Sequence, residues 1–167
     1  MPARIRLRRV TLADQRKFLE SVHASRALHR PWVQAPSTPQ QFRAYFRRMQ
    51  NPENRGFLVC ASATGAFVGV INLSNIVLGF FRSAYLGYYA FAGFERQGLM
   101  HDGLRAVVRH AFNAMKLHRL EANIQPGNAA SIALARSCGF AKEGFSPRYL
   151  KIGGRWRDHE RWAILAS

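Results

Sequence analysis

The sequence predicts one mixed α/β domain with a mostly antiparallel sheet of about seven strands and four helices. In chain order the elements are β-α-α-β-β-β-α-β-α-β-β, with several strands joined by short turns and a single strand–helix–strand crossover. Short turns join antiparallel neighbours, whereas a crossover joins parallel ones. The 167 residues are 48% hydrophobic and include no linker or repeat, so residues 1–167 fit a single domain.

The chain starts with a strand that is followed by two helices. Residues 4–10 alternate apolar and polar side chains, which predicts the strand. Thr11 is suited to cap a first helix, which we expect to end near residue 29. Residues 38–41 (Thr-Pro-Gln-Gln) combine a capping residue, proline at the first helical position and glutamine three residues after the cap. A second helix therefore begins here and runs to about residue 50.

The middle of the chain is predicted to form three strands. Residues 56–62 and 66–75 have strand patterns and are separated by the tight turn Thr64-Gly65, which makes them a hairpin. Residues 83–91 form a further strand that is rich in aromatic side chains.

The second half of the chain alternates helices with strands. We predict a helix over residues 98–115, a strand over 117–125, a helix over 129–137 and strands over 140–152 and 156–165. The helix that starts at residue 98 connects the strands at 83–91 and 117–125. These two strands are therefore expected to be parallel neighbours.

The turn that precedes residue 99 is the most informative segment. A helix start presents several N–H groups without intrahelical partners at the positive end of the helix dipole, and such an end binds phosphate. Gly98 has no Cβ that would keep an anion from the backbone, and Arg96 adds a positive charge. We expect a pyrophosphate seat here, although a plain helix cap is the simpler interpretation.

The net charge of +16 is unusual, and 21 of the 25 basic residues are arginine. One interpretation is a compositional bias with a solvated surface. The other is an acidic partner, such as a phosphorylated cofactor, RNA or a ribosomal surface. A charge this high is expected to produce at least non-specific, salt-sensitive RNA binding.

Several classes of protein are not expected. No apolar run approaches the roughly 20 residues that span a bilayer, and the N-terminal residues lack the apolar core of a secretory signal. We therefore expect a cytoplasmic protein without membrane association. Cys60 and Cys138 fit reduced thiols, and the histidines show no metal-ligand spacing, so no metal is expected.

Four stretches of the chain carry a resemblance to a known family: 97–100 (Gln-Gly-Leu-Met), 118–123, 134–140 and the long stretch 149–159. Together with the element order and the stretch from Asn128 to Ser131, they make the chain similar to the GNAT superfamily of N-acetyltransferases over nearly its whole length. It looks most like the ribosomal-protein-alanine acetyltransferases of the RimJ/RimL type.

The resemblance implies a cofactor, acetyl-CoA, that binds between splayed central strands. The residues implied to contact acetyl-CoA are Tyr89, Ala90, Phe91, Arg96, Gln97, Gly98, Leu99, Met100, Asn128 and Ser131. The pyrophosphate would bind the amides of residues 97–100, and the pantetheine arm would run beside the strand that ends at residues 89–91. Asn128 and Ser131 would face the thiol, although Asn128 is also suited to cap the last helix.

Three positions depart from the superfamily pattern. Glu95 stands where the turn usually has glutamine or arginine, and Met100 stands where it usually has glycine or alanine. Glu95 would put a negative charge near the phosphates. Ala135 occupies the position at which many members carry the tyrosine that reprotonates the leaving thiolate, so another residue or water must supply that proton.

The candidate catalytic residues are Glu121, Ser131 and Tyr149. Glu121 is a candidate general base for the attacking amine, and pairing with one of the many arginines is the equally weighted alternative. Tyr149 is a candidate acid, or a core tyrosine. His159 follows Asp158, but adjacent strand residues face opposite sides, so the two are not expected to pair.

The acceptor site is implied by the resemblance to lie beside the first two helices and the last hairpin, with Trp32, Phe81, Arg82 and Tyr149 as its residues. The expected acceptor is a protein N-terminus, such as that of a ribosomal protein, with possible rRNA contact through the basic surface. Two alternative functions stay open: acetylation of a small amine (an amino acid or an antibiotic), and a catalytically silent protein that binds RNA or a partner. The sequence also leaves open whether the protein is a monomer or a homodimer.

Overall fold

The computed structural model describes all 167 residues, and its seven strands form one sheet. The strands are β1 (Ile5–Arg9), β2 (Arg55–Ala61), β3 (Phe67–Val77), β4 (Ser83–Ala90), β5 (Arg119–Ile124), β6 (Ala141–Ile152) and β7 (Arg155–Leu165). Their order is β1-β2-β3-β4-β5-β7-β6, and only the β4–β5 pair is parallel. The predicted mixed sheet with one parallel pair is therefore confirmed.

Five helices and one 3-10 turn (Leu12–Asp14) complete the fold. The helices are α1 (Gln15–Ala24), α2 (Arg26–His29), α3 (Pro39–Gln50), α4 (Leu99–Asn113) and α5 (Ala129–Ser137). None of them has the length and hydropathy that a membrane-crossing helix needs.

The first helix differs from the prediction because it breaks at Ser25. The buried Ser25 hydroxyl donates to the carbonyl of Ser21 (2.6 Å) and accepts from the N–H of Ala92 (2.9 Å). Four residues later, Nε2 of His29 lies 2.8 Å from the carbonyl oxygen of Ala90, to which it donates. The short helix α2 is thus attached to the end of β4, and these tertiary bonds end α1 earlier than its sequence pattern indicates.

The sheet is covered on both faces by hydrophobic cores. Along β2, Val59 packs on the α4 side, whereas its neighbours Leu58 and Cys60 pack on the α1–α3 side. On that second side, Phe18 of α1 places its ring 5.1 Å from the ring of Phe42 of α3. The alternation of side chains along each strand therefore builds a three-layer domain.

The parallel pairing of β4 with β5 covers only three positions. Residues 83–85 pair with residues 119–121, and there the ladder ends. Beyond this point β4 stays paired with β3 as far as Ala90, and β5 stays paired with β7 as far as Ile124. The two halves of the sheet therefore diverge, and the facing edges of β4 and β5 have no strand between them.

The junction between β1 and α1 is held by one buried carboxylate. Asp14 is 7% exposed, accepts from both terminal nitrogens of the Arg8 guanidinium (2.9 and 2.7 Å) and accepts from the N–H of Thr11 (2.8 Å). Burial acts to raise the pKa of Asp14, but the hydrogen bonds from Arg8 and Thr11 outweigh it and lower this pKa below its usual value.

We predict that Asp14→Asn lowers the free energy of unfolding by about 2 kcal/mol at pH 7, because it removes a charged pair and weakens a helix cap. A carboxyl with a lowered folded-state pKa stabilises the fold above its unfolded pKa of about 3.9, and this contribution is lost as the pH falls through the folded value. Denaturant unfolding at pH 7 and pH 3 measures both effects.

The matched control is Glu20→Gln, which removes a solvent-exposed pair with Arg16. It is expected to change the unfolding free energy by less than about 0.5 kcal/mol. Equal destabilisation by the two variants would contradict the role of Asp14.

Candidate functional site

The turn before α4 presents free backbone donors. Gly98 has a φ of 74°, in the left-handed region that favours glycine. The N–H groups of residues 96–101 donate to no protein acceptor, and the first bond of the helix runs from Asp102 N–H to the Gly98 carbonyl at 3.1 Å. Residues 95–98 are exposed. Free amides at the positive end of a 15-residue helix meet the physical requirement for anion binding.

The charged groups around this turn leave its amides accessible. Arg4 donates to the carbonyl of Gln97 (2.9 Å) and pairs with Asp102 (2.7 Å), so a cation binds the carbonyl side of the turn. The Glu95 carboxylate accepts from the N–H of Gly93 (2.8 Å), which ties this negative charge back within its own turn. The Arg96 side chain has no hydrogen-bond partner and is exposed.

A cleft of about 400 Å³ opens where β4 and β5 diverge. Its walls are residues 86–89 of β4 and residues 122–125, at the end of β5. Trp32 and the start of α5 also border it. Of the residues predicted from sequence, the cleft brings together Trp32, Tyr89, Asn128 and Ser131.

A narrower, mainly apolar cavity of about 150 Å³ adjoins this cleft. Tyr88, Tyr89, Asn128 and Ser131 line both spaces, and Met100 at the start of α4 lines the narrow one. The Met100 side chain lies against the bare backbone of Gly69, where a Cβ would collide with its sulfur. An apolar channel thus leads from the first turn of α4 to the cleft.

The start of α5 is fixed by two hydrogen bonds. The Asn128 side chain caps the helix, since it accepts from the N–H of Ser131 at 3.3 Å. The Tyr88 hydroxyl donates to the carbonyl of Ser131 (2.6 Å) and so joins β4 to α5 across the divergence. Burial raises the pKa of Tyr88 to about 12, so this hydroxyl stays protonated. The Ser131 hydroxyl has no partner in the protein.

Two buried polar groups at the cleft lack partners. The Oδ1 atom of Asn123 and the hydroxyl of Tyr89 are inaccessible to solvent and form no hydrogen bond. Burial raises the pKa of Tyr89. Because buried polar groups are nearly always satisfied, orphaned ones in a cleft indicate a missing ligand or water. Sequence reasoning missed Asn123 as a site residue, although its position two residues after Glu121 placed it on the same strand face.

His159 also lines the cleft and is almost completely buried. Its Nδ1 lies 2.9 Å from the carbonyl oxygen of Arg157. Since a carbonyl only accepts, Nδ1 carries the proton in the neutral ring, and Nε2 has a free lone pair and no partner. Asp158 instead accepts from the N–H of Arg148 (2.8 Å), so the two neighbours do not pair.

Two candidate catalytic residues lie outside the cleft. Glu121 pairs with Arg119 at 3.0 Å and stands opposite Tyr85, at the last position where β4 and β5 are still joined. Tyr149 lies beside Tyr85, and this neighbouring hydroxyl, burial and the Glu121 carboxylate raise the pKa of Tyr149. Its ring centre is 6.1 Å from that of His159. Glu121 therefore forms an ion pair with an arginine, which was the alternative to a role as general base.

Of the predicted acceptor residues, Trp32 borders the cleft, whereas Phe81 and Arg82 do not. Phe81 is 71% exposed, and Arg82 donates to the carbonyl of Lys116 (2.8 Å). Both residues precede β4 and therefore lie at the end of this strand opposite to the divergence. At roughly 3.3 Å per residue, they are about 20 Å along the strand from the residues of β4 that line the cleft. Trp32 packs over Gly127, where a Cβ would lie 3.0 Å from its ring.

No three His, Cys, Asp or Glu side chains are grouped so that they could hold a metal ion. The polar groups that the site offers to a ligand are therefore main-chain amides, hydroxyls, the Asn123 amide and the His159 ring.

Comparison with known proteins agrees with this geometry. Residues 4–141 match the family model described as an acetyltransferase (GNAT) domain. The probable N-acetyltransferase YjcK of Bacillus subtilis (strain 168) is 34% identical over 121 residues, which cover 72% of this chain and 67% of that protein. The ribosomal protein uS5-alanine N-acetyltransferase of Escherichia coli (strain K12) is 42% identical over 97 residues, 58% of this chain and 50% of that protein.

A solved structure shows the same architecture over nearly the whole chain. Mycobacterium smegmatis RimJ in complex with CoA-disulfide superposes with a TM-score of 0.89 at 28% identity, covering 97% of this chain and 82% of that one. The match to the family model extends over most of the chain, and the sheet has the divergence expected from the sequence resemblance. The chain therefore belongs to the GNAT family of acetyltransferase domains, which are acetyl-CoA-dependent N-acetyltransferases.

Proposed function

We propose that this protein transfers the acetyl group of acetyl-CoA to the α-amine of a protein N-terminus. One observation carries the proposal. The free amides before α4 and the cleft with its unpartnered polar groups lie at the two ends of one apolar channel. That arrangement fits a cofactor with an anionic diphosphate at one end and a reactive thioester at the other.

The cofactor is assigned to these features as follows. The diphosphate binds the amides of residues 97–100, with Arg96 as an additional cation. The pantetheine arm follows residues 86–90, whose main-chain groups toward β5 have no strand partner. Leu99 anchors the turn, because its side chain is buried in the hydrophobic core on the α4 side of the sheet. The thioester then lies near Asn128 and Ser131.

The reaction needs a neutral amine, a proton acceptor and stabilisation of the developing oxyanion. The amine nitrogen attacks the thioester carbon, the C–N bond forms, and the C–S bond breaks. Nε2 of His159 accepts the amine proton. The Ser131 hydroxyl passes a proton to the leaving thiolate, and water returns the proton from His159 to Ser131, so that the thiol leaves protonated and both side chains are regenerated. Unpaired N–H groups of β4 bind the oxyanion.

The α-amine of a protein fits this site better than a lysine side chain. An α-amine has a pKa of about 7.7–8.0, so a useful fraction is neutral at physiological pH and a mild base suffices. The naming of an E. coli relative as a ribosomal protein uS5-alanine N-acetyltransferase supports a protein acceptor. The net charge of +16 supports additional contact with rRNA.

Glu121 is the alternative base, and its carboxylate lies near enough to Tyr149 to contribute to the raised pKa of that hydroxyl. A small amine is the alternative acceptor. A catalytically silent protein is the third possibility, and it predicts no turnover of acetyl-CoA with any amine.

The cofactor seat is tested by Gly98→Glu, which adds a negative side chain and strains a residue with positive φ. We expect CoA affinity to fall at least tenfold, measured by isothermal titration calorimetry. Gly79→Glu is the matched control, because Gly79 has a similar φ of 70° in an open turn that precedes β4, whereas Gly98 follows that strand. Undiminished CoA binding by the Gly98 variant would refute this placement.

The base is tested by His159→Gln and Glu121→Gln in parallel. We expect His159→Gln to lower kcat by roughly 10²–10⁴-fold, with CoA affinity unchanged. Glu121→Gln is expected to keep kcat within about threefold, because its carboxylate is engaged by Arg119. The reverse pattern would assign the base to Glu121.

The acceptor is tested by thiol release from acetyl-CoA in the presence of peptides with a free N-terminal Ala or Ser. We expect turnover with these peptides and none with their N-blocked forms, since the blocked nitrogen has no available lone pair. Equal rates with free and blocked peptides would rule out N-terminal specificity.

A further inference from the structure

A second, larger cavity lies on the acceptor side of the cleft. It is open to solvent, has a volume of about 560 Å³ and is bordered by α2, the loop at residues 30–37 and α3. Three arginines line it: Arg26, Arg30 and Arg48. Gln34, Ser37 and Gln41 are polar neutral neighbours, and no acidic residue is among its walls.

These three arginines have no partners within the protein. None forms an ion pair, and Arg48 only stacks over the ring of Tyr45, at 5.6 Å from its centre. Four other arginines of the chain form ion pairs (Arg4, Arg8, Arg16 and Arg119), and these three are among the remaining arginines that do not. Three unneutralised guanidinium groups around one concavity focus a positive potential inside it.

The cavity adjoins the transfer cleft, because Val33 and Gln34 line both spaces. The Tyr45 hydroxyl, which borders the cavity, donates to Oδ1 of Asn72 (2.5 Å), and Asn72 lines the cleft. A chain whose terminal amine lies in the cleft therefore has the arginine cavity next to the residues that follow.

We infer that this cavity binds acidic side chains of the acceptor, in the residues that follow the acetylated one. The inference rests on the proposed function and names its substrate class: a protein N-terminus with Asp or Glu shortly after the first residue. Guanidinium groups bind carboxylates through paired hydrogen bonds, and the same charges repel a polycationic amine.

An acidic peptide fits this cavity better than RNA. Binding of single-stranded RNA combines a long basic groove with accessible aromatic rings on which bases stack. Here the only aromatic ring in the walls besides His29 is Tyr45, which is buried and covered by Arg48.

The test compares two peptides that start with the same free Ala and differ only at positions 3–6, which are Asp and Glu in one and Asn and Gln in the other. We expect KM to be at least tenfold lower for the acidic peptide, with similar kcat. In the double variant Arg26→Gln/Arg48→Gln this preference should shrink below threefold while CoA affinity is unchanged.

The matched control is Arg43→Gln/Arg47→Gln, which removes the same charge from exposed positions of α3 that do not line the cavity. It should keep the preference for the acidic peptide. Equal KM values for the two peptides, with turnover intact, would overturn the inference and leave the proposed function standing.

Absence of turnover with any peptide would instead refute the proposed function. The cavity is then judged by fluorescence anisotropy of the labelled acidic peptide on CoA-loaded protein. Binding that requires Arg26 and Arg48 and is lost in the Asn/Gln peptide supports the inference, and no binding overturns it. Displacement of the peptide by a tighter-binding RNA oligomer that needs the same arginines would assign the cavity to RNA.

Discussion

The site depends on one constraint, the requirement that main-chain polar groups in a sheet find partners. Pairing between β4 and β5 stops after Tyr85 and Glu121, so both strands continue with an unsatisfied edge. Each strand is held in place by its other neighbour, which keeps the edges apart. The open ladder positions make the interior of the sheet available to an extended ligand that can supply the missing hydrogen bonds, in the manner of an added strand.

Positive charge is supplied to the two ends of the site in different forms. At the start of α4 it comes from fixed backbone amides around Gly98, which suit a compact diphosphate and cannot be neutralised by a neighbouring acid. On the acceptor side it comes from flexible guanidinium groups, which can adapt to carboxylates at several positions. The net charge of the chain does not by itself distinguish diphosphate binding from carboxylate binding. Both depend on where the fold leaves a positively charged group without a partner.

The architecture and the turn with free amides before α4 could be predicted because local signals determine them: strand alternation, helix caps and a glycine before a helix. The break at Ser25 could not, because it depends on a bond to Ala92, 67 residues away. Phe81 and Arg82 lie outside the cleft because they precede β4, whereas the divergence follows Tyr85. His159 was a secondary catalytic candidate, but its place in the cleft, like that of Asn123, depends on strand register across the sheet, which has no local signature.

The attachment of α2 to the end of β4 has a thermodynamic consequence. Ser25 and His29 hold residues 90–92, the link between β4 and the turn before α4, and the same short helix carries Arg26 to the arginine-lined cavity. A ligand that displaces this link must displace α2 as well. If the cofactor and the acceptor bind as proposed, their affinities would be reciprocally coupled, so that each raises or lowers the binding of the other by one and the same factor.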